Sequence, residues 1–193
     1  MEYKVLIWGY AKKSKSGMRA SPATVLIKDK GKKILVDPGA NKKKLLNSLK
    51  RGGLKPKDID LIFITHYHPD HILNLNMFPS KVVLDGDTIY DDDLETHFEG
   101  KIPGTSIEVV PTPGHANEHA SLLLKAKEEI VCVAGDLWWW SDDQKQKTDR
   151  ASLIDLKDPY VKDEKKLRES RELILSKADY VIPGHGKMFK VEK

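Results

Sequence analysis

Leu61-Ile62-Phe63-Ile64-Thr65-His66-Tyr67-His68-Pro69-Asp70-His71 is the stretch that decides the fold. The apolar run is short, branched and aromatic, so it predicts a buried strand that starts near Ile59. A short helix is expected to follow, from about Asp70 to Asn76. His66, His68, Asp70 and His71 therefore stand where a strand gives way to a helix. That is the carboxyl edge of a sheet, where α/β folds build their sites. Three of the chain's seven histidines lie in this one segment.

The pattern repeats downstream. His115 follows Pro111-Thr112-Pro113-Gly114, Asp136 follows Ile130-Val131-Cys132-Val133-Ala134-Gly135, and His185 lies in Pro183-Gly184-His185-Gly186. Each sits at the end of an apolar run or in the Gly/Pro turn beyond one. Imidazole and carboxylate together suit zinc, and also iron or manganese, and point to one metal centre assembled from several loops. Cys132 is the only cysteine and lies inside an apolar run, so it reads as an inert buried thiol. No intrachain disulfide can form, which suits a reducing cytoplasm.

The remaining chain predicts strands at Tyr3–Trp8, Thr24–Lys28, Lys33–Val36, Lys81–Leu84, Ser106–Val110, Ser121–Lys125, Ile130–Ala134 and Tyr180–Ile182. Helices are predicted over Asn41–Arg51 and Asp163–Ser176. Ala11 to Arg19 reads as a basic loop, and the polar, acidic segment from Asp85 to Gly104 has no assignment. Periodicity alone gives α/β or α+β. A length of 193 residues, without repeat or linker, predicts a single domain over 1–193.

No segment is long and apolar enough to span a membrane, and the start lacks the features of a signal peptide, so a cytoplasmic location is expected. Charged residues make up 32% of the chain, a thermophile-like composition. A net charge of +4 does not by itself imply nucleic-acid binding.

The motifs, in this order and together with Asp37 in Val36-Asp37-Pro38-Gly39, resemble the metallo-β-lactamase superfamily over nearly the whole chain. Asn74 to Pro79, Arg168-Glu169-Ser170-Arg171 and Ala178 to Gly186 further resemble a small single-domain branch typified by metallo-β-lactamase domain-containing protein 1. The resemblance implies a four-layer αββα sandwich of two mixed sheets. It implies His66, His68 and His115 as ligands of one divalent ion, Asp70, His71 and His185 as ligands of a second, and Asp136 bridging both. Asp37 is implied to orient a ligand imidazole, although a turn former before Pro38-Gly39 is an equal reading.

The implied activity is hydrolysis by a hydroxide held between two metal ions, with Asp70 orienting it. A thioester, lactone or similar ester is the first expectation. A nuclease or phosphodiesterase acting on RNA or nucleotides is the alternative, and a non-catalytic or redox metal protein is disfavoured because flavodiiron relatives carry a carboxylate where this chain has His68. The expected partner is a small-molecule or nucleotide substrate. Tyr67, between two ligands, and Trp138-Trp139-Trp140, just past Asp136, are candidate substrate contacts; core packing is the competing role. His119 is expected in packing or behind the ligands, and His97 at the surface.

Overall fold

The computed structural model describes residues 1–192. Nine strands come first: β1 (Glu2–Ile7), β2 (Tyr10–Ser14), β3 (Gly17–Ser21), β4 (Thr24–Asp29), β5 (Lys32–Val36), β6 (Leu61–Phe63), β7 (Val82–Leu84), β8 (Thr88–Asp91) and β9 (Leu94–His97). They are followed by β10 (Glu108–Pro111), β11 (Ala120–Ala126), β12 (Glu129–Val133), β13 (Tyr180–Ile182) and β14 (Phe189–Lys190). The helices are α1 (Lys42–Arg51), α2 (Pro69–Ile72), α3 (Arg150–Ile154) and α4 (Glu164–Lys177).

Two mixed sheets result, ordered β1-β4-β5-β6-β7-β8-β9 and β10-β11-β12-β13-β14, with β2 and β3 as a separate hairpin. Pairs β5–β6, β6–β7 and β12–β13 are parallel. The layers follow from the period-two alternation of side chains along each strand. Val25, Ile27, Ile34, Val36 and Phe63 point inward to meet Leu122, Leu124, Val131, Val133 and Ile182 of the other sheet. Their neighbours Leu26, Leu35 and Ile62 point outward against Leu45 and Leu49 of α1. On the far side Leu123, Cys132 and Val181 pack against Leu167, Ile174 and Leu175 of α4. Three apolar seams thus separate four layers, the expected αββα order.

Several expectations are corrected. The basic loop is the β2–β3 hairpin, whose alternation is hidden because Lys12 and Lys13 occupy both faces. The unassigned acidic segment holds β8 and β9; every residue of β9 is exposed, so no apolar alternation marked it. The helix expected from Asp70 to Asn76 stops at Ile72. Asn74 turns back instead, its backbone N–H donating to Gly39 O at 3.0 Å and its Nδ2 to Pro38 O at 3.1 Å. Helix α3 and strand β14 are too short to leave a periodic signature. No helix among the described residues is long and apolar enough to cross a membrane.

Candidate metal centre

His66 and His68 leave β6, Asp136 leaves β12 and His185 leaves β13, all at the carboxyl ends of these strands. The loops are tied together by backbone: Ala120 N–H donates to Thr65 O at 2.9 Å, Ala23 N–H to Gly184 O at 2.7 Å and Gly184 N–H to Gly135 O at 2.6 Å. Strand ends from both sheets therefore converge on one point, and the seven expected residues meet there. His66, His68, His115 and Asp136 form one group, and Asp70, His71 and His185 a second; within each, one ligand atom per residue lies within 4.8 Å of the others.

Hydrogen bonds behind the rings decide which nitrogen each presents. His71 Nδ1 lies 2.8 Å from Asp37 Oδ2. The same carboxylate accepts from Thr65 N at 2.9 Å and Thr65 Oγ1 at 2.8 Å. With its proton committed to Asp37, Thr65 Oγ1 accepts from His66 Nδ1 at 3.1 Å. His185 Nδ1 donates to Tyr10 O at 3.0 Å. His115 Nδ1 donates to Asp158 Oδ2 at 2.6 Å. Four rings thus turn Nε2 inward, the nitrogen that a metal ion would take.

Asp136 lies among them: its carboxylate is 3.3 Å from His71 Nε2, 3.5 Å from His115 Nε2 and 3.6 Å from His185 Nε2. Its own backbone N–H donates to His119 Nε2 at 3.1 Å, and His119 Nδ1 bonds Thr112 Oγ1 at 2.9 Å. His119 is therefore a neutral ring that braces the Asp136 turn. Burial, then the neighbouring His115, pulls its pKa down to about 3.

Burial opposes charge on His71, yet Asp37 and Asp136 on either side raise its pKa well above the usual value. At Asp136 burial raises and the surrounding imidazoles, His185 first, lower the pKa, and the imidazoles win. His66 is held neutral by burial and by His71.

The residues present fit a divalent cation. His66 Nε2 is buried without a hydrogen-bond partner, and His71 Nε2 and Asp136 Oδ1, equally buried, meet each other only in an ion-pair contact at 3.3 Å. Leaving buried polar atoms without good hydrogen bonds is costly. His115 Nε2 and His68 Nδ1 face each other at 3.0 Å in the same place. Lone pairs and carboxylate oxygens crowded together in this way call for positive charge, and one nitrogen per ring is what a metal needs.

Above the clusters is a cleft of about 230 Å³. His68, Asp70, Asp136 and His185 form its floor; Ala11, Met18 and Ala20 of the hairpin wall one side, and Trp139 and Tyr160 the other. The Trp139 and Tyr160 rings are 5.6 Å apart and tilted by 34°.

Three of the expected substrate contacts do not reach this cleft. Trp138 is fully buried against Phe189, with Nε1 donating to Leu153 O at 2.9 Å. Trp140 is buried beside the same phenylalanine. Extended backbone sends alternate side chains to opposite faces, so only Trp139 turns to the cleft, its Nε1 donating to Asp158 Oδ1 at 3.2 Å. Tyr67 points away as well, its hydroxyl donating to Asp85 beside Tyr90 at the sheet edge. Asp158 and Tyr160 escaped the sequence reading, because no local pattern marks a lone Asp or Tyr as a site residue.

A family model described as the metallo-beta-lactamase superfamily matches residues 19–83. The chain is 32% identical over 199 residues to metallo-beta-lactamase domain-containing protein 1 of Xenopus laevis, spanning 98% of this chain and 81% of that one. The Rattus norvegicus protein of the same name is 33% identical over 168 residues, which cover 82% of this chain and 63% of the relative's length. Among solved structures, a Thermotoga maritima protein assigned to the metallo-beta-lactamases superposes with a TM-score of 0.69 at 21% identity, over 98% of both chains.

Proposed function

The chain belongs to the metallo-β-lactamase superfamily of hydrolases, and from that premise we propose that it hydrolyses small esters of the thioester or lactone type. The observation that carries this reading is the cleft: a small, mostly apolar volume walled by Met18, Trp139 and Tyr160 directly over an imidazole and carboxylate floor. Such a shape accepts a short acyl chain or ring and presents its polar carbonyl downward.

His66, His68, His115 and Asp136 would hold one ion and Asp70, His71 and His185 the other, with zinc the metal this imidazole-rich set suits best. Two ions so held supply an acidified water and polarise the oxygen of the bond under attack. The chain's own residues do the rest. Trp139 and Tyr160 stack along the acyl group and exclude water from it. Asp158 holds His115 in one tautomer and anchors Trp139, so it links the metal floor to the substrate wall. Asp70 is the most exposed of the site carboxylates, and one oxygen lies 3.2 Å from His185 Nε2. Burial raises and His185, then His71, lower its pKa, so it stays ionised. Its carboxylate orients the attacking water and carries a proton to the leaving group.

The test joins metal analysis to a panel of thioesters, lactones, cyclic nucleotides and single-stranded RNA. We expect two equivalents of metal and turnover of the esters. The two tryptophan roles separate in the same assays. Trp139→Ala raises KM with metal content unchanged. Trp138→Ala instead costs about 3–5 kcal/mol of stability in denaturant unfolding, because it empties a core position.

A second reading, hydrolysis of phosphodiesters in single-stranded nucleic acid, is favoured by one observation. On the opposite face of the hairpin lies a groove of about 1040 Å³ lined by Lys12, Arg19, Lys44 and Lys187, with Asp142 the one acidic side chain. Trp8 also lines it and is 49% exposed, so it is available for base stacking. Binding of single-stranded RNA that weakens steeply with salt, and is lost in a Lys12→Glu/Arg19→Glu protein, would favour this reading. Ester turnover without such binding would favour the first.

A further inference from the structure

Helix α4 carries two polar side chains on its buried face, Ser170 at 5% and Arg171 at 3% exposure. Their bonds lead to the backbone of the loops that carry the metal-site residues. Ser170 Oγ donates to Pro113 O at 2.7 Å, two residues before His115. Arg171 Nε donates to Leu137 O at 2.8 Å, the residue after Asp136. Arg171 Nη1 donates to Ile154 O at 3.1 Å and Leu156 O at 2.7 Å, the turn that leads to Asp158. The N-terminal approach to the helix adds two further ties, Lys162 N–H and Asp163 N–H donating to Gly114 O at 2.8 and 3.0 Å. One rigid helix thus references both His115 and Asp136, and also the carboxylate that orients His115.

Core apolar side chains would serve helix packing alone at lower cost. A guanidinium is expensive to bury, and burial pulls the Arg171 pKa down to about 10, which still leaves it charged at neutral pH. What it provides is a planar fork whose donors reach carbonyls in two separate loops at fixed angles, which a lysine ammonium cannot reproduce. The loops themselves are irregular; backbone bonds such as Gly114 N–H to Ala116 O and Gly184 N–H to Gly135 O hold part of each, and the Ser170 and Arg171 side chains add fixed points beside His115 and Asp136.

We propose that Ser170 and Arg171 are positioning residues that set the placement of His115 and Asp136, and through them the metal affinity of the first cluster. This rests on the metal-hydrolase reading above. Neither side chain touches the ions' ligand atoms or the cleft; both act through the backbone of the residues that do. Groups one step behind metal ligands typically alter affinity by about 10–100-fold when removed.

The experiment titrates Zn²⁺ into metal-free protein against a chromophoric chelator, alongside thermal unfolding of the same samples, for wild type, Ser170→Ala, Arg171→Lys and Leu49→Ala. Leu49 is a buried residue of α1, which packs on the outer face of the other sheet, and it serves as a control for lost stability alone. We expect wild type to bind two equivalents. Arg171→Lys should show one of the two zinc dissociation constants raised by at least about ten-fold, and Ser170→Ala a smaller rise at the same site. Leu49→Ala should lose thermal stability with both constants unchanged. If Arg171→Lys and Ser170→Ala lower the unfolding temperature but bind zinc as wild type does, the pair is structural only and the proposal is overturned. If Arg171→Lys does not fold, Ser170→Ala decides: unchanged zinc affinity overturns the proposal, a weaker site supports it. Wild type that takes up no zinc overturns the metal-hydrolase reading, and this inference with it; wild type with two zinc ions beside unaltered variants overturns this inference alone.

Discussion

Asp136→Ala is expected to lose its metal and its hydrolytic activity together while keeping its fold. The carboxylate lies within 3.3–3.9 Å of four imidazoles, His71, His115, His185 and His66, and so faces the Nε2 atoms of rings from both clusters. Ions in such a site contribute several kcal/mol of transition-state stabilisation, so turnover should fall by roughly 10³-fold or more. The fold should survive because the Asp136 turn is braced through its backbone N–H by His119 and through Leu137 O by Arg171. Metal content by elemental analysis and turnover by the ester panel read the two losses. An Asp136→Ala protein that still holds two equivalents and hydrolyses ester at the wild-type rate would remove this residue from the centre.

The second large effect comes from a residue without a side chain. A Cβ on Gly184 would stand 1.8 Å from Asp136 Oδ1 and 2.9 Å from the carbonyl carbon and oxygen of Gly135. Real Cβ atoms do not come that close, so the His185 loop or the Asp136 side chain must move. The loop cannot move freely, because Gly184 bonds backbone on both sides, to Ala23 and to Gly135. Gly184→Ala should therefore displace Asp136 or His185 and weaken metal binding, with activity down by about 100-fold or more. Reactive geometry tolerates displacements of well under about 1 Å, and a shift of that size commonly costs this much. Overpacking should also cost about 1–3 kcal/mol of stability. Wild-type zinc affinity in the Gly184→Ala protein would mean that the loop relaxes at no cost and that the close approach is incidental.

The two predictions differ in how visible they are from the chain. Asp136 announces itself, because an acidic residue closes an apolar run where a strand ends. The role of Gly184 as a space-maker for Asp136 does not, since the two lie far apart in sequence and meet only because β12 and β13 run parallel side by side. Trp139 is an intermediate case. The three consecutive indoles drew attention to the right segment, yet which indole faces the cleft depends on where the backbone becomes extended after the Asp136 turn. Tyr67 misled for the same reason: adjacency to ligands placed it near the site, but its hydroxyl is taken by Asp85 from the end of the neighbouring strand.

The sequence by itself determined most of the strands and the two long helices, and it singled out the seven His and Asp residues that the structure brings together, while the αββα order came from the family resemblance. The first two are local signals: strand alternation is written in consecutive residues, and each of the seven follows the strand or turn that presents it. Only the tertiary structure decided which side chains stand behind the ligands and which wall the cleft. Asp158 reaches His115 across 43 residues, Arg171 reaches Leu137 across 34, and His119 reaches Asp136 across 17. A hydrogen bond at such a separation leaves no periodicity in the chain. It exists because two sheets, each packed under its own helix, bring their strand ends to one edge.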